Sequence, residues 1–240
     1  MPKRTLLVLT ALGLSLGPAL AFQPVLTTEE IQKALKEGSA MNTPRNGYIL
    51  SDYLLKEYND GVSLKPGDGE VDAIIVATPY ERVRYFGYLE SIQRKPVTDA
   101  ALNAVVDRYK NKLTFVVFTH SPYTVDQEVE QWTKAYGSGK ITDEEGKTRQ
   151  RSYLDQYQEA TLEVGGKTYT AKPSVDGPYT DIFSIQGSRP QSRFLGLINY
   201  SFDLSDLAAS GKVSGTGKLS FKDSQGQTTY SETVDLGKYF

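Results

Sequence analysis

The sequence predicts an α+β fold: an N-terminal helical segment carrying a two-helix insert, then a mostly antiparallel β-sandwich of immunoglobulin-like or open-barrel form. Three observations predict it. Helix-start signatures crowd the front of the chain, with one more near residue 125; β-branched or alternating apolar runs dominate after residue 112; and turn residues separate those runs at the spacing of successive strands. With 39% hydrophobic and 23% charged residues in 240, the chain can fill a core and is neither disordered nor fibrous.

Residues 1–21 are read first. Lys3 and Arg4 are basic, 6–16 (LLVLTALGLSL) are apolar, and Ala19-Leu20-Ala21 places small residues where a signal peptidase reads, so a secretory signal peptide cleaved after Ala21 is expected. Gly17 and Pro18 break the apolar run well short of the ~20 residues that cross a bilayer. No second long apolar run follows, so the mature chain is expected to lack a membrane span. Its place is then outside the cytoplasm, periplasmic or extracellular. A bacterial source fits, because an exported chain with no Cys is held by its core alone.

Residues 22–112 read as a helical front with one buried strand. Thr27 and Glu30 make a reciprocal cap, and Ile31, Ala34 and Leu35 then share a face. A second helical piece is expected over Ser51–Tyr58, where Leu50, Tyr53 and Leu54 line up and Asn59-Asp60-Gly61 offers a stop. Lys65–Gly69 reads as a loop, and Val71–Thr78 (VDAIIVAT) as a strand buried on at least one face. Thr78-Pro79-Tyr80-Glu81 combines a capping hydroxyl, a proline where its missing N–H costs nothing, and a reciprocal Glu. Val83, Phe86, Leu89 and Ile92 continue that helix; Pro96 ends it, Thr98 caps another, and Leu102, Val105, Val106 and Tyr109 form its stripe.

Residues 113–240 read as the β-rich part, which shares a core with 71–112 or stands alone. Leu113–Thr119 is a strand. Val125, Val129 and Trp132 recur at a helical period between Thr124 and Gly137, and 137–151 is a charged loop. Ala160–Val164 and Lys167–Ala171 flank Gly165-Gly166, which is hairpin chemistry because both turn residues need positive φ. Further strands are expected over Asp181–Gln186, Phe194–Phe202, Lys212–Phe221 and Thr229–Leu236, with Pro173–Tyr179 and Gln186–Ser192 as loops.

Composition removes whole classes of function. A formal charge of −2 offers no field for a phosphate backbone, so nucleic acid is excluded as a partner. Zero Cys and one His exclude thiolate metal sites, iron–sulfur clusters, a Cys nucleophile and multi-His zinc sites. Gly137-Ser138-Gly139-Lys140 resembles the end of a phosphate loop, but Lys134 and Ile141 stand where that loop needs Gly and a hydroxyl.

The candidate binding residues are few, and no catalytic set is assembled. Tyr80, Arg84 and Tyr88 recur at i, i+4, i+8, off the apolar stripe of their helix, as a Tyr/Arg ridge of the composition that anchors partners. With 16 Tyr the chain is rich in a side chain that gives rigid contact area with a polar end. His120 ends a strand, and Arg189 and Arg193 sit in or beside a loop where a sandwich would place a site. Asp68, Glu70 and Asp72 alternate at a strand entry but miss the calcium-loop pattern, and Asp126, Glu130 and Lys134 read as a solvated helix face.

The expectation is therefore an exported, non-catalytic β-sandwich protein, a binding or structural module of the cell envelope or extracellular space with a protein or glycan partner. It calls for no cofactor and no metal. The alternatives are a secreted glycan hydrolase using Asp and Glu, and a periplasmic assembly or chaperone-like factor.

Overall fold

The computed structural model describes residues 22–43, 47–60, 63–65, 67–142, 146–208, 213 and 215–239. The expected signal peptide lies outside the described residues. In chain order the elements are α1 (Thr28–Ala40), β1 (Leu54–Glu57), β2 (Ser63–Leu64), β3 (Val71–Ala77), α2 (Pro79–Ile92), α3 (Asp99–Tyr109), β4 (Lys112–Thr124) and α4 (Val125–Tyr136). There follow β5 (Lys140–Thr142), β6 (Thr148–Gln150), β7 (Ala160–Val164), β8 (Lys167–Ala171), β9 (Pro173–Ile185), β10 (Gln191–Asp203), β11 (Thr216–Lys222) and β12 (Thr229–Asp235). The fold is mixed α and β, with mostly antiparallel strands and one sheet curled into a half-barrel.

Six strands form one sheet in the order β1-β3-β4-β10-β9-β2, antiparallel except where β2 joins β9. Four more form a second sheet, β12-β11-β7-β8, and β5-β6 is a separate hairpin. The period-2 alternation of β4 divides its side chains between two environments. Leu113, Phe115 and Val117 point into the main core, with Ile74, Val76, Ile198, Tyr200 and Phe202 on neighbouring strands and Leu162, Leu219, Phe221 and Val234 from the second sheet. Tyr200 and Phe221 touch across the layers, ring centroids 5.6 Å apart. Thr114, Val116 and Phe118 point the other way, towards the helices.

The helical layer closes on its own small core. Ala34, Tyr80, Val83 and Leu102 are buried together, with Leu35, Phe86 and Val105 packed against them. Glycine brings α1 and α2 into backbone contact: a Cβ built on Gly38 would lie 1.9 Å from the Arg84 carbonyl oxygen, and one on Gly87 2.8 Å from that of Leu35. Any side chain at either position forces the two helices apart.

Local signatures account for most elements. Thr27 and Glu30 form the reciprocal cap of α1, Thr124 and Gln127 that of α4, and Gly137 ends α4 at φ 67°. Gly165 and Gly166 adopt φ 59° and 75° in the tight β7–β8 hairpin. Three expectations are corrected. Residues 51–58 are not a helix: a single 3₁₀ turn, Ser51–Tyr53, leads into β1, because pairing Leu54 with Ile75 and Glu57 with Ala73 satisfies the otherwise open edge of β3. Pro173–Tyr179 is not a loop but the first half of β9, with a bulge at Gly177-Pro178 opposite Gly196 that spares the sheet a proline in the ladder. The charged stretch 137–151 contains the β5–β6 hairpin. In the strand expected over 212–221, β11 starts at Thr216; residues 212 and 214 lie outside the described residues. No helix among the described residues is long and apolar enough to cross a membrane.

Candidate functional site

Between the helix-facing side of the six-stranded sheet and α2–α3 lies a cavity of about 700 Å³, within the range that holds a small organic molecule. Strand register arranges its floor in rows. Lys112 and, beside it, the pair Thr114 and Ser201 make one end, with the two hydroxyl oxygens 2.8 Å apart. Ile75, Val116, Asn199 and Ser174 cross the middle, and Phe118, Leu197 and Asp176 the far end.

The roof comes from α2, the last turn of α3 and the residues before β1. On α2, Glu81, Tyr85 and Tyr88 recur at i, i+4, i+7 and so share one stripe over the sheet. Arg82 sits at the polar end, its guanidinium 5.9 Å from the ring of Tyr109 and 5.5 Å from that of Tyr85. Arg108 contributes from α3, stacked 5.6 Å from Tyr109. Tyr48 packs edge-on against Tyr85 at 4.9 Å and lies 5.2 Å from Tyr88, so three tyrosines gather towards the apolar end.

Glu81 is fully buried and departs from its local rule. Thr78 accepts the Glu81 N–H at 3.1 Å, as a cap should, but the Glu81 carboxylate does not return to the cap. It pairs instead with Arg82 at 2.5 Å and accepts the Tyr48 hydroxyl at 2.7 Å. Burial, with the Glu81 charge adding to it, drives the Tyr48 phenol far above its usual range, so Tyr48 is a neutral donor. Arg84 then holds the Tyr48 oxygen at 3.2 Å and the Ile49 carbonyl at 2.9 Å, and its guanidinium covers the Tyr48 and Tyr53 rings. Arg84 therefore positions the segment that closes the cavity without lining it.

The expected Tyr/Arg ridge is not a surface. Tyr80 and Arg84 are only 3% and 5% exposed, and of the three residues Tyr88 alone lines the cavity. Steps of four residues advance about 40° around a helix, so Tyr80 ends in the α1–α2 core while Tyr88 reaches the sheet side. Arg189 lies exposed in the β9–β10 turn. Arg193 bonds the Ser121 carbonyl at 3.1 Å and Gln191 at 3.0 Å, and burial lowers its pKa. Neither belongs to the cavity.

His120 is buried at a second polar cluster, where Nδ1 meets Asp72 at 2.8 Å and the ring lies 5.4 Å from Phe183. The acidic trio diverges. Asp72 serves His120 and Asn59; Glu70 accepts the Ser224 N–H at 3.0 Å, its hydroxyl at 2.6 Å and the Tyr157 hydroxyl at 3.2 Å; Asp68 accepts the Lys65 N–H. Glu128 accepts from Ser121, from the Tyr153 N–H and from Trp132. Burial pushes both Glu70 and Glu128 above the usual carboxylate range. Asp126 is exposed on α4, where Glu130 pairs with Lys134 at 2.6 Å.

Sequence reasoning passed over Tyr48, Glu81, Arg82, Tyr85, Arg108 and Lys112. A signal existed in the Glu81, Tyr85, Tyr88 stripe and in the alternate residues of β4, but nothing in the sequence says those two stripes face each other. The chain matches no protein-family model, no curated protein and no solved structure.

Proposed function

We propose that this chain is an exported, non-catalytic binding protein of the cell envelope or extracellular space that takes a small molecule into the cavity between its curled sheet and α2–α3. The observation that carries the reading is a cavity of about 700 Å³ walled by Tyr48, Tyr85, Tyr88, Phe118 and Val116 and dotted with convergent polar groups. The β-rich body, with its curled sheet, serves as the rigid scaffold. Glycan remains a fitting partner chemically, since a saccharide stacks on tyrosine faces and bonds to Asn199 and the hydroxyls.

The hydrolase alternative finds less support. The cavity carboxylates are each committed, Glu81 to Arg82 and Tyr48, and Asp176 to the Tyr179 hydroxyl at 2.5 Å. The carboxyls raised by burial, Glu70 and Glu128, belong to other clusters and do not line this cavity.

Titration with the neutral dye 1-N-phenylnaphthylamine tests the reading. Its fluorescence is expected to rise saturably on the purified protein and to be lost in Val116→Trp and in Leu197→Trp, each of which fills the floor. Unchanged dye binding in both folded variants would remove the cavity from consideration.

A further inference from the structure

The chemistry of the cavity is graded along its length. At one end stand Lys112, Arg108 and Arg82, with the hydroxyls of Thr114 and Ser201; the Asn199 amide shares the middle row with Ile75 and Val116; at the other end are Phe118 and Leu197, with Tyr85 and Tyr88 in the roof. Among the described residues only one of the three cations is neutralised by a carboxylate, Arg82 by Glu81. Lys112 has Asp203 across from it in register, but that carboxylate accepts the Ser205 N–H at 2.9 Å and stands outside ion-pair reach of the lysine. The only other acidic residue in the lining, Asp176, stands at the apolar end against Tyr179. Two cations without a carboxylate partner, beside the Thr114–Ser201 pair whose mutual bond leaves one O–H to donate and the Asn199 amide that keeps a second N–H beyond its bond to the Ser174 carbonyl, are continuous with an aromatic and aliphatic trough and match a ligand with one charged and one apolar end.

From this polarity, and resting on the cavity reading above, we infer that the ligand is a small amphiphile with a single anionic head. The head lies against Lys112 and Arg108, where the Thr114, Ser201 and Asn199 side chains supply hydrogen bonds, and the apolar body extends over Val116 and Phe118 beneath the tyrosines. A cationic or neutral amphiphile of the same body leaves Lys112 and Arg108 without a counter-charge and forfeits charge-assisted bonds.

A matched pair of dyes reads the difference. The anionic 8-anilino-1-naphthalenesulfonate shares the fused aromatic and anilino body of neutral 1-N-phenylnaphthylamine, so the ratio of their dissociation constants reports the head. The sulfonate is expected to bind about tenfold tighter or more, and raising ionic strength from about 0.05 to about 0.5 M is expected to shrink that ratio, because Arg108 is solvent-exposed. Lys112→Gln with Arg108→Gln replaces two side chains outside the cores and is expected to weaken the sulfonate more than the neutral dye, bringing the ratio within about threefold. Equal affinities in the unaltered protein, or a preference that survives the double substitution, would overturn the anionic head and leave the cavity reading standing. Failure of both dyes to bind, or retention of both in Val116→Trp, would overturn the two together.

Discussion

The two faces of the six-stranded sheet are built from the same strands and do different things. On β4, Phe115 and Val117 enter a dry core shared with the second sheet, whereas Val116 and Phe118 floor a cavity under α2. The dry face is filled by interdigitating apolar side chains from both sheets. Above the other face, hydrogen-bonded side chains tie α2 to the segment before β1: Glu81 to Arg82 and Tyr48, and Arg84 to Tyr48 and Ile49. The packed core and the cavity thus lie on opposite faces of one sheet.

The largest expected effect tests that division on one strand. Phe115→Ala removes a fully buried ring packed edge-on against Phe202 at 5.9 Å and should cost about 3–5 kcal/mol, whereas Phe118→Ala, beside existing free volume, should cost only about 1–2 kcal/mol. Urea denaturation of both variants settles it. Equal losses would mean that the helix-facing side is as tightly packed as the core and that the cavity is not open in solution.

Arg84→Leu comes next. It strands the Ile49 carbonyl and removes a donor from Tyr48, for an expected loss of about 2 kcal/mol, and it should weaken dye binding by freeing the segment that carries Tyr48. Lost stability with unchanged binding would break the link between this brace and the cavity.

A third expectation concerns pH on the dry side of the molecule. Burial raises the Glu128 carboxyl above its usual range, so the folded chain holds a proton there that the unfolded chain releases. The associated stability is fully present below the unfolded-state pKa and is lost as pH rises through the raised folded one. Glu128→Gln keeps the acceptor for Tyr153 and Trp132 and offers an N–H to Ser121. Its melting temperature should rise relative to the unaltered protein as pH increases above the ordinary carboxylate range. A difference that stays constant with pH would refute it.

The smallest effect is expected at Lys134→Gln, which breaks an exposed pair on α4 with 74% and 64% exposed side chains. Its melting point should match that of the unaltered protein within error, since exposed pairs contribute little.

Much of this architecture was legible in sequence. The caps of α1 and α4, the start of α2 and the double-glycine hairpin depend on residues within a few positions of one another, and short-range chemistry carries them. The helix expected over 51–58 failed because its pattern was short and the open edge of β3, distant in sequence, recruited the segment as a strand. The Tyr80–Arg84–Tyr88 ridge is divided between two environments for a similar reason. Its spacing was read correctly, but which side of α2 meets α1 and which meets the sheet depends on Gly38 and Gly87, the points where the two helices touch.

By itself, then, the sequence determined most of the α and β segments, their caps and tight turns, and the absence of thiol and multi-His chemistry, all of which follow from residue type and near-neighbour spacing. Only the tertiary structure decided what β4 faces on each side, why the Glu81 carboxylate leaves its cap for Arg82 and Tyr48, and that Arg108, Lys112 and three tyrosines surround one cavity. The residues lining it span positions 48 to 201, and their meeting is fixed by strand register and helix packing, neither of which is written in any local stretch of the chain.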